Sequence, residues 1–277
     1  MSTVLVSAAE LAAALEGPEP PAVLDVRWAL GGPPGHDLYV EGHVPGAAYV
    51  DLDTELAAHG APTDGRHPLP SVEALQAAAR RWGVRAGQAV VAYDGGGNLA
   101  AARAWWLLRW AGVEDVRLLD GALPAWVAAG GALEAGEVTP APGDVVLDGG
   151  RLPTLALDDV SAFAASGVLL DARAAERFRG EVEPVDPKAG HIPGARSAPT
   201  TENLDADGRF LGAAALRERF TGLGATGSEP VGVYCGSGVT AAHQIAALAI
   251  AGIDAALYPG SWSQWSTHDH LPVAVGG

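Results

Sequence analysis

Short apolar runs alternate with longer helical stretches along the whole chain. The runs ending at Asp25-Val26-Arg27 and Asp171-Ala172-Arg173, and those at 88–93, 116–119, 230–234 and 255–258, have the length and texture of strands buried on both faces. Between them, the spacing predicts helices at 72–82 and 213–220 and strongly apolar ones at 100–111 and 240–251. Ser7-Ala8-Ala9-Glu10 fits a capping box that opens a helix, and Leu157-Asp158-Asp159-Val160 opens its counterpart. Strands and helices in alternation imply an α/β protein: mostly parallel sheets with helices on both faces.

The pattern occurs twice. Val23-Leu24-Asp25-Val26-Arg27 returns as Leu169-Leu170-Asp171-Ala172-Arg173, and Gly42-His43-Val44-Pro45-Gly46-Ala47 as Gly190-His191-Ile192-Pro193-Gly194-Ala195. Val90-Val91-Ala92-Tyr93-Asp94-Gly95 returns as Val231-Gly232-Val233-Tyr234-Cys235-Gly236, and Gly121 and Trp126 as Gly260 and Trp265. The separation drifts between 139 and 148 positions, which means two whole domains with loop differences rather than a short-period array. The expected division is a domain at 1–135, a linker at 136–155 rich in Gly, Pro and small residues, and a domain at 156–277.

Composition narrows the function classes. Of 277 residues 48% are hydrophobic and 18% charged, enough apolar material for real cores. A formal charge of −16, with Lys188 the sole lysine, argues against nucleic acid and against anionic lipid as partners. One cysteine permits no internal disulfide and no cysteine-rich metal site. The start Met1-Ser2-Thr3-Val4-Leu5-Val6 has no basic segment leading into a long apolar run, so no leader peptide is expected. No membrane span is expected either, and the expected location is the cytoplasm. The histidines lack metal-ligand spacing, and Gly95-Gly96-Gly97 is no dinucleotide fingerprint, so neither metal nor nucleotide cofactor is expected.

The chemistry concentrates at the single cysteine. Cys235 follows a strand and precedes a helix, the end of an α/β sheet where ligands bind. Gly236 and Gly238 let backbone amides turn inward, and the helix adds its positive end. Both effects hold negative charge on sulfur, and the charged form is the nucleophile. The plainer alternative is a buried structural cysteine, against which the flanking glycines and the strand-to-helix turn both speak.

The tandem halves, the two Gly-His-x-Pro-Gly-Ala segments and Cys235-Gly236-Ser237-Gly238-Val239-Thr240 resemble the tandem-domain rhodanese superfamily. Within it the cysteine loop is similar to that of 3-mercaptopyruvate sulfurtransferases. The resemblance implies a persulfide on Cys235, loaded by a small anionic donor, 3-mercaptopyruvate or thiosulfate, and discharged to a thiol, cyanide or thioredoxin-like acceptor. Asp94 stands where the second half has Cys235 and cannot carry sulfane sulfur, so the first half is expected to be non-catalytic.

The resemblance also assigns roles. Ser237 matches a relay serine and would otherwise be a turn residue capping the helix. His43 either joins that relay, with Asp37 to orient it, or braces its own loop, the role expected of His191. Arg177 matches an arginine that holds the anionic end of the donor, and its plainer reading is a surface pair with Glu176 or Glu181. Gly236, Gly238, Val239 and Thr240 contribute through backbone amides and the first helical turn. One departure stands out: the family has a second arginine where Glu183-Pro184-Val185-Asp186 carries Val185, with Lys188 nearby as a partial substitute. A cysteine phosphatase would need an arginine where the loop ends in Thr240-Ala241, and a peroxide-sensing thiol would need a resolving partner from elsewhere. A non-catalytic sulfur-binding or regulatory module is the remaining alternative. Tandem halves already form a pseudo-dimer, so a monomer is the simpler expectation.

Overall fold

The computed structural model describes residues 4–277; Met1-Ser2-Thr3, with which the segment read for a leader begins, lies outside the described residues. In chain order the first half contains β1 (Leu5–Val6), α1 (Ala8–Leu15), β2 (Ala22–Asp25), α2 (Gly35–Glu41), β3 (Ala48–Tyr49), α3 (Leu52–Glu55), α4 (Val72–Arg81), β4 (Val90–Tyr93), α5 (Ala101–Trp110), β5 (Val116–Leu119) and α6 (Ala122–Ala128). The second contains α7 (Leu157–Ser166), β6 (Val168–Asp171), α8 (Ala175–Phe178), β7 (Arg196–Ser197), α9 (Ala213–Gly222), β8 (Val231–Tyr234), α10 (Val239–Ile250), β9 (Ala256–Leu257) and α11 (Ser261–Trp265).

Packing divides the chain into two compact units that do not follow the halves strictly. The first takes residues up to Ala58, Pro70–Arg151 and Ala206–Phe210; the second takes His59–Leu69, Leu152–Asp205 and Leu211–Gly277. A segment early in the sequence therefore folds with the cysteine-bearing unit. Within 136–155, Val145 and Leu147 are buried, and Gly143 and Arg151 donate backbone bonds to Arg80 and Trp110 within the first unit.

In the first unit the strands run in the order β1-β5-β4-β2-β3, all pairs parallel. Each residue of β4 is buried, because α/β crossovers cover both faces of a parallel sheet. The second unit repeats this as β7-β6-β8-β9, again all parallel. Beside β9, where β5 has β1, there is a single bridge between Thr154 and Leu257; the preceding Pro153 has no N–H to extend it.

The same buried polar frame fixes both sheets. Tyr93 donates its hydroxyl to Asp25 at 2.6 Å and accepts from the Val44 amide at 2.9 Å. Tyr234 accepts from the Ile192 amide at 3.2 Å. Arg27 and Arg173 pair with Asp25 and Asp171 and reach on to the carbonyls of Gly42 and Gly190, so each strand-end Asp-x-Arg holds its Gly-His-x-Pro-Gly-Ala loop in place.

Candidate active site

Cys235 sits at the carboxyl end of β8 and is 1% exposed. The Gly238 amide donates to its sulfur at 3.1 Å, and Gly238 takes the left-handed conformation (φ +81°) that aims this N–H inward at the start of α10. The turn into α11 clamps the loop from below. Trp262 and Ser263 donate amides to the carbonyls of Cys235 and Gly236, and Ser261, itself left-handed at φ +53°, accepts from the Cys235 amide. A non-glycine residue in that region costs about 1–3 kcal/mol, a strain tolerated where surrounding bonds hold it. The first unit has the same clamp: Ala122 is left-handed at φ +53° and Leu123 donates to the Asp94 carbonyl. There the carboxylate itself fills the cradle. Asp94 accepts from the amides of Gly96, Asn98, Ala100 and Ala101 at 2.8 to 3.3 Å, yet burial outweighs these bonds and pushes its carboxyl up to about 6.

The segment His59–Leu69 supplies the second component. Gly65 has φ +89°, and a Cβ there would lie 2.8 Å from the Gly260 carbonyl, so the backbone passes α11 as only glycine allows. The Arg66 amide then donates to Ser263 Oγ at 3.0 Å. This anchoring sets His67 Nδ1 2.7 Å from Ser237 Oγ, with both residues buried. One hydrogen bond thus links His67 to the residue two beyond the cysteine.

The third component is a chain of alternating charges. Asp171 holds Arg173; Arg173 lies 3.4 Å from Glu183; Glu183 holds Arg177 at 2.6 Å; Arg177 reaches Asp186 at 3.1 Å; and Asp186 holds Arg66. Burial raises both acid groups of the middle, but for Glu183 the Arg177 bond and the amides of Asp186 and Val185 win and its pKa is lowered. For Asp186 burial wins, over the neighbouring Arg66 and Arg177, and its pKa is raised. The chain ends over the cysteine loop: a Cβ on Gly236 would lie 3.1 Å from Arg66 Nη2 and 3.5 Å from Arg177 Nη1. Gly236 has no side chain, and two guanidiniums occupy the space beside it.

A family model for the rhodanese-like domain matches residues 7–129 and again 156–268. The chain belongs to the rhodanese family. This rhodanese is similar to a Mycobacterium tuberculosis protein named "Putative thiosulfate sulfurtransferase SseB", 50% identical over 276 residues, 99% of this chain and 97% of the relative. It is also similar to the 3-mercaptopyruvate sulfurtransferase of Escherichia coli, 36% identical over 280 residues, 98% of each chain. Among solved structures, SseA from Escherichia coli, a 3-mercaptopyruvate sulfotransferase, matches at TM-score 0.84 and 34% identity over 94% of this chain and 99% of that one.

Of the residues singled out from sequence, the rhodanese fold brings Cys235, Gly236, Ser237, Gly238 and Arg177 together. Val239, buried, and Thr240, half-buried, form the first turn of α10. Arg177 does not pair with Glu176 or Glu181 but with Glu183 and Asp186. Val185 is 39% exposed, and Lys188 turns to the His268 carbonyl. The histidine bonded to Ser237 is His67, not His43. His43 lies in the first unit, its Nδ1 2.9 Å from the Tyr39 carbonyl and its ring stacked on Tyr39. His191 repeats this on Phe178: Nδ1 2.8 Å from the carbonyl, ring stacked. The histidine of each Gly-His-x-Pro-Gly-Ala segment thus makes the same bond and the same stack in both units, of which one holds the cysteine. His67 carried a weak signal of its own: Asp64-Gly65-Arg66 recurs as Asp207-Gly208-Arg209, but where the first copy continues with His67 the second has Phe210.

Proposed function

We propose that this rhodanese moves sulfane sulfur from 3-mercaptopyruvate or thiosulfate to a thiol or cyanide acceptor through a persulfide on Cys235. The observation that carries the reading is the Gly238 amide aimed at the cysteine sulfur, in a strand-end loop with guanidiniums at its rim. The Cys235 thiolate attacks the outer sulfur of the donor. An S–S bond to Cys235 forms and the donor's C–S or S–S bond breaks; its electron pair leaves with pyruvate enolate or sulfite. The enolate takes a proton to become pyruvate. Ser237 Oγ, paired with His67 Nδ1, is the group positioned to relay it. The Gly238 amide and the positive end of α10 hold the persulfide's negative charge. An acceptor thiolate or cyanide then attacks the outer sulfur and returns Cys235 as thiolate. Arg177 seats the donor's carboxylate or sulfonate, which suits a guanidinium's paired donors.

Thioredoxin-like proteins belong to the same acceptor class, and the working form is a monomer in the cytoplasm. Among the described residues no helix is long and apolar enough to cross a membrane.

Intact-mass spectrometry tests the reading. Incubation with either donor adds about 32 Da, one sulfur atom, to the wild-type chain and none to Cys235→Ser, and cyanide removes the adduct. Failure of both donors to load the wild-type chain rejects it and leaves a sulfur-binding or regulatory module.

A further inference from the structure

We propose that Arg66 is a donor-binding residue that forms, with Arg177, a two-guanidinium clamp for the anionic end of the sulfur donor above Gly236. The inference rests on the sulfur-transfer reading and names a residue of the same site. Three observations carry it. Arg66 Nη2 and Arg177 Nη1 converge on the residue after the nucleophile, 3.1 and 3.5 Å from a Cβ position that Gly236 leaves empty. Both guanidiniums are tied to one carboxylate, Asp186, whose side chain is 2% exposed, so their spacing is fixed before any donor arrives. Arg66 itself is not spent: its buried Nε has no hydrogen-bond partner among the described residues, and its side chain remains 29% exposed.

The arrangement has a chemical logic. One guanidinium presents two parallel N–H groups to a carboxylate or sulfonate, and a second on another side of the anion adds charge and fixes its rotation. Orientation is what sulfur transfer requires, because the donor's sulfur must lie in line with the attacking thiolate. The negative partners Glu183 and Asp186 balance the two arginines, so the clamp is neutral without a donor and is held open rather than collapsed onto a neighbour. The backbone of the segment is anchored independently, through the Arg66 amide to Ser263 Oγ. Removing the Arg66 side chain therefore leaves in place the bond that positions His67.

The test uses two readouts on the full-length chain. The first is steady-state kinetics of Arg66→Ala with 3-mercaptopyruvate and with thiosulfate. KM for the donor rises about tenfold or more while kcat changes less than about threefold, the signature of lost ground-state binding. The second does not depend on sulfur transfer. Cys235 is the chain's single cysteine, so its alkylation by anionic iodoacetate and by neutral iodoacetamide reports anion binding at the loop directly. The iodoacetate-to-iodoacetamide rate ratio falls about tenfold in Arg66→Ala and partly recovers in Arg66→Lys, which keeps the charge but not the fork. Arg151→Ala, which removes an exposed pair with Asp148, leaves both readouts unchanged. Arg66→Gln keeps a donor toward Asp186 and replaces Arg66→Ala if the latter does not fold. A folded, neutral variant with unchanged KM and an unchanged alkylation ratio overturns the clamp. If the wild-type chain loads no sulfur but the alkylation ratio still depends on Arg66, the clamp stands and the sulfur-transfer reading fails.

Discussion

The loops after β4 and β8 are the same piece of backbone put to opposite uses. Each follows a buried tyrosine that closes its strand, each is clamped by a left-handed residue in the next turn, and each leads into an apolar helix. In the first unit Asp94 turns its carboxylate into the ring of amides and satisfies four of them. In the second, the amide of Gly238 meets a sulfur. A built-in carboxylate fills one cradle; the other presents its amide to a sulfur, an atom that can take part in exchange. Beside Asp94 lies a cavity of about 310 Å³ lined by Trp28, Pro33, Leu38 and Leu99, and the one arginine there, Arg27, is spent on Asp25 and two carbonyls. Beside Cys235 stand two guanidiniums. An amide cradle is thus a property of the fold, while reactivity needs a nucleophile and cations added to it.

The largest expected effect separates the two histidines. His67→Ala lowers the rate of donor turnover by about 100-fold, in the range for loss of a positioned proton relay, with stability little changed. His43→Ala does the reverse: it lowers the thermal midpoint, and the folded protein keeps its turnover within about threefold. Turnover in His67→Ala equal to wild type breaks the assignment of chemistry to that pair.

A smaller effect tests the built-in anion. Asp94→Asn places an NH₂ against amides that now donate to a carboxylate oxygen, which costs about 1–3 kcal/mol. The pH dependence has a definite sign. Burial raises Asp94 from 3.8 to about 6, so the folded protein binds this proton more tightly than the unfolded chain does. The resulting stabilisation is complete below pH 3.8 and is lost as pH rises through about 6. In urea titrations the stability advantage of wild type over Asp94→Asn therefore shrinks between those two values. A pH-independent difference means that Asp94 is charged throughout.

The smallest effect sharpens what the units share. Tyr93→Phe and Tyr234→Phe each remove a buried hydroxyl that accepts from a loop amide, Val44 or Ile192. Each costs about 1 kcal/mol or somewhat more, by urea midpoint. Strongly unequal losses show that the common frame bears different loads in the two units.

Much of this was legible in the chain itself. The ends of β4, β5 and β8 and the spans of α4, α5, α9 and α10 follow from local apolar pattern, which a parallel sheet enforces by burying both faces. The duplication, Asp94 as the inactive twin of Cys235, and the cysteine loop with Ser237 are all contiguous motifs, visible without any fold. Arg177 was legible as a charged residue of the right type, though its partners were not: Glu183 and Asp186 come close only because α8 ends in a turn.

Tertiary structure alone decided the rest. His67 meets Ser237 across 170 positions of sequence, and no periodic pattern marks a contact of that range. The resemblance offered His43 for the relay, yet its Nδ1 bond and ring stack recur at His191, so these are contacts common to both units. Arg66 lies in a segment, Asp64-Gly65-Arg66, that recurs as Asp207-Gly208-Arg209, but which unit it folds with depends on the Gly65 backbone passing α11 and on one bond to Ser263. Sequence determines elements, duplication and nucleophile because these are local. The His67–Ser237 pair and the second guanidinium depend on a segment distant in sequence, so they exist only once the two stretches have packed.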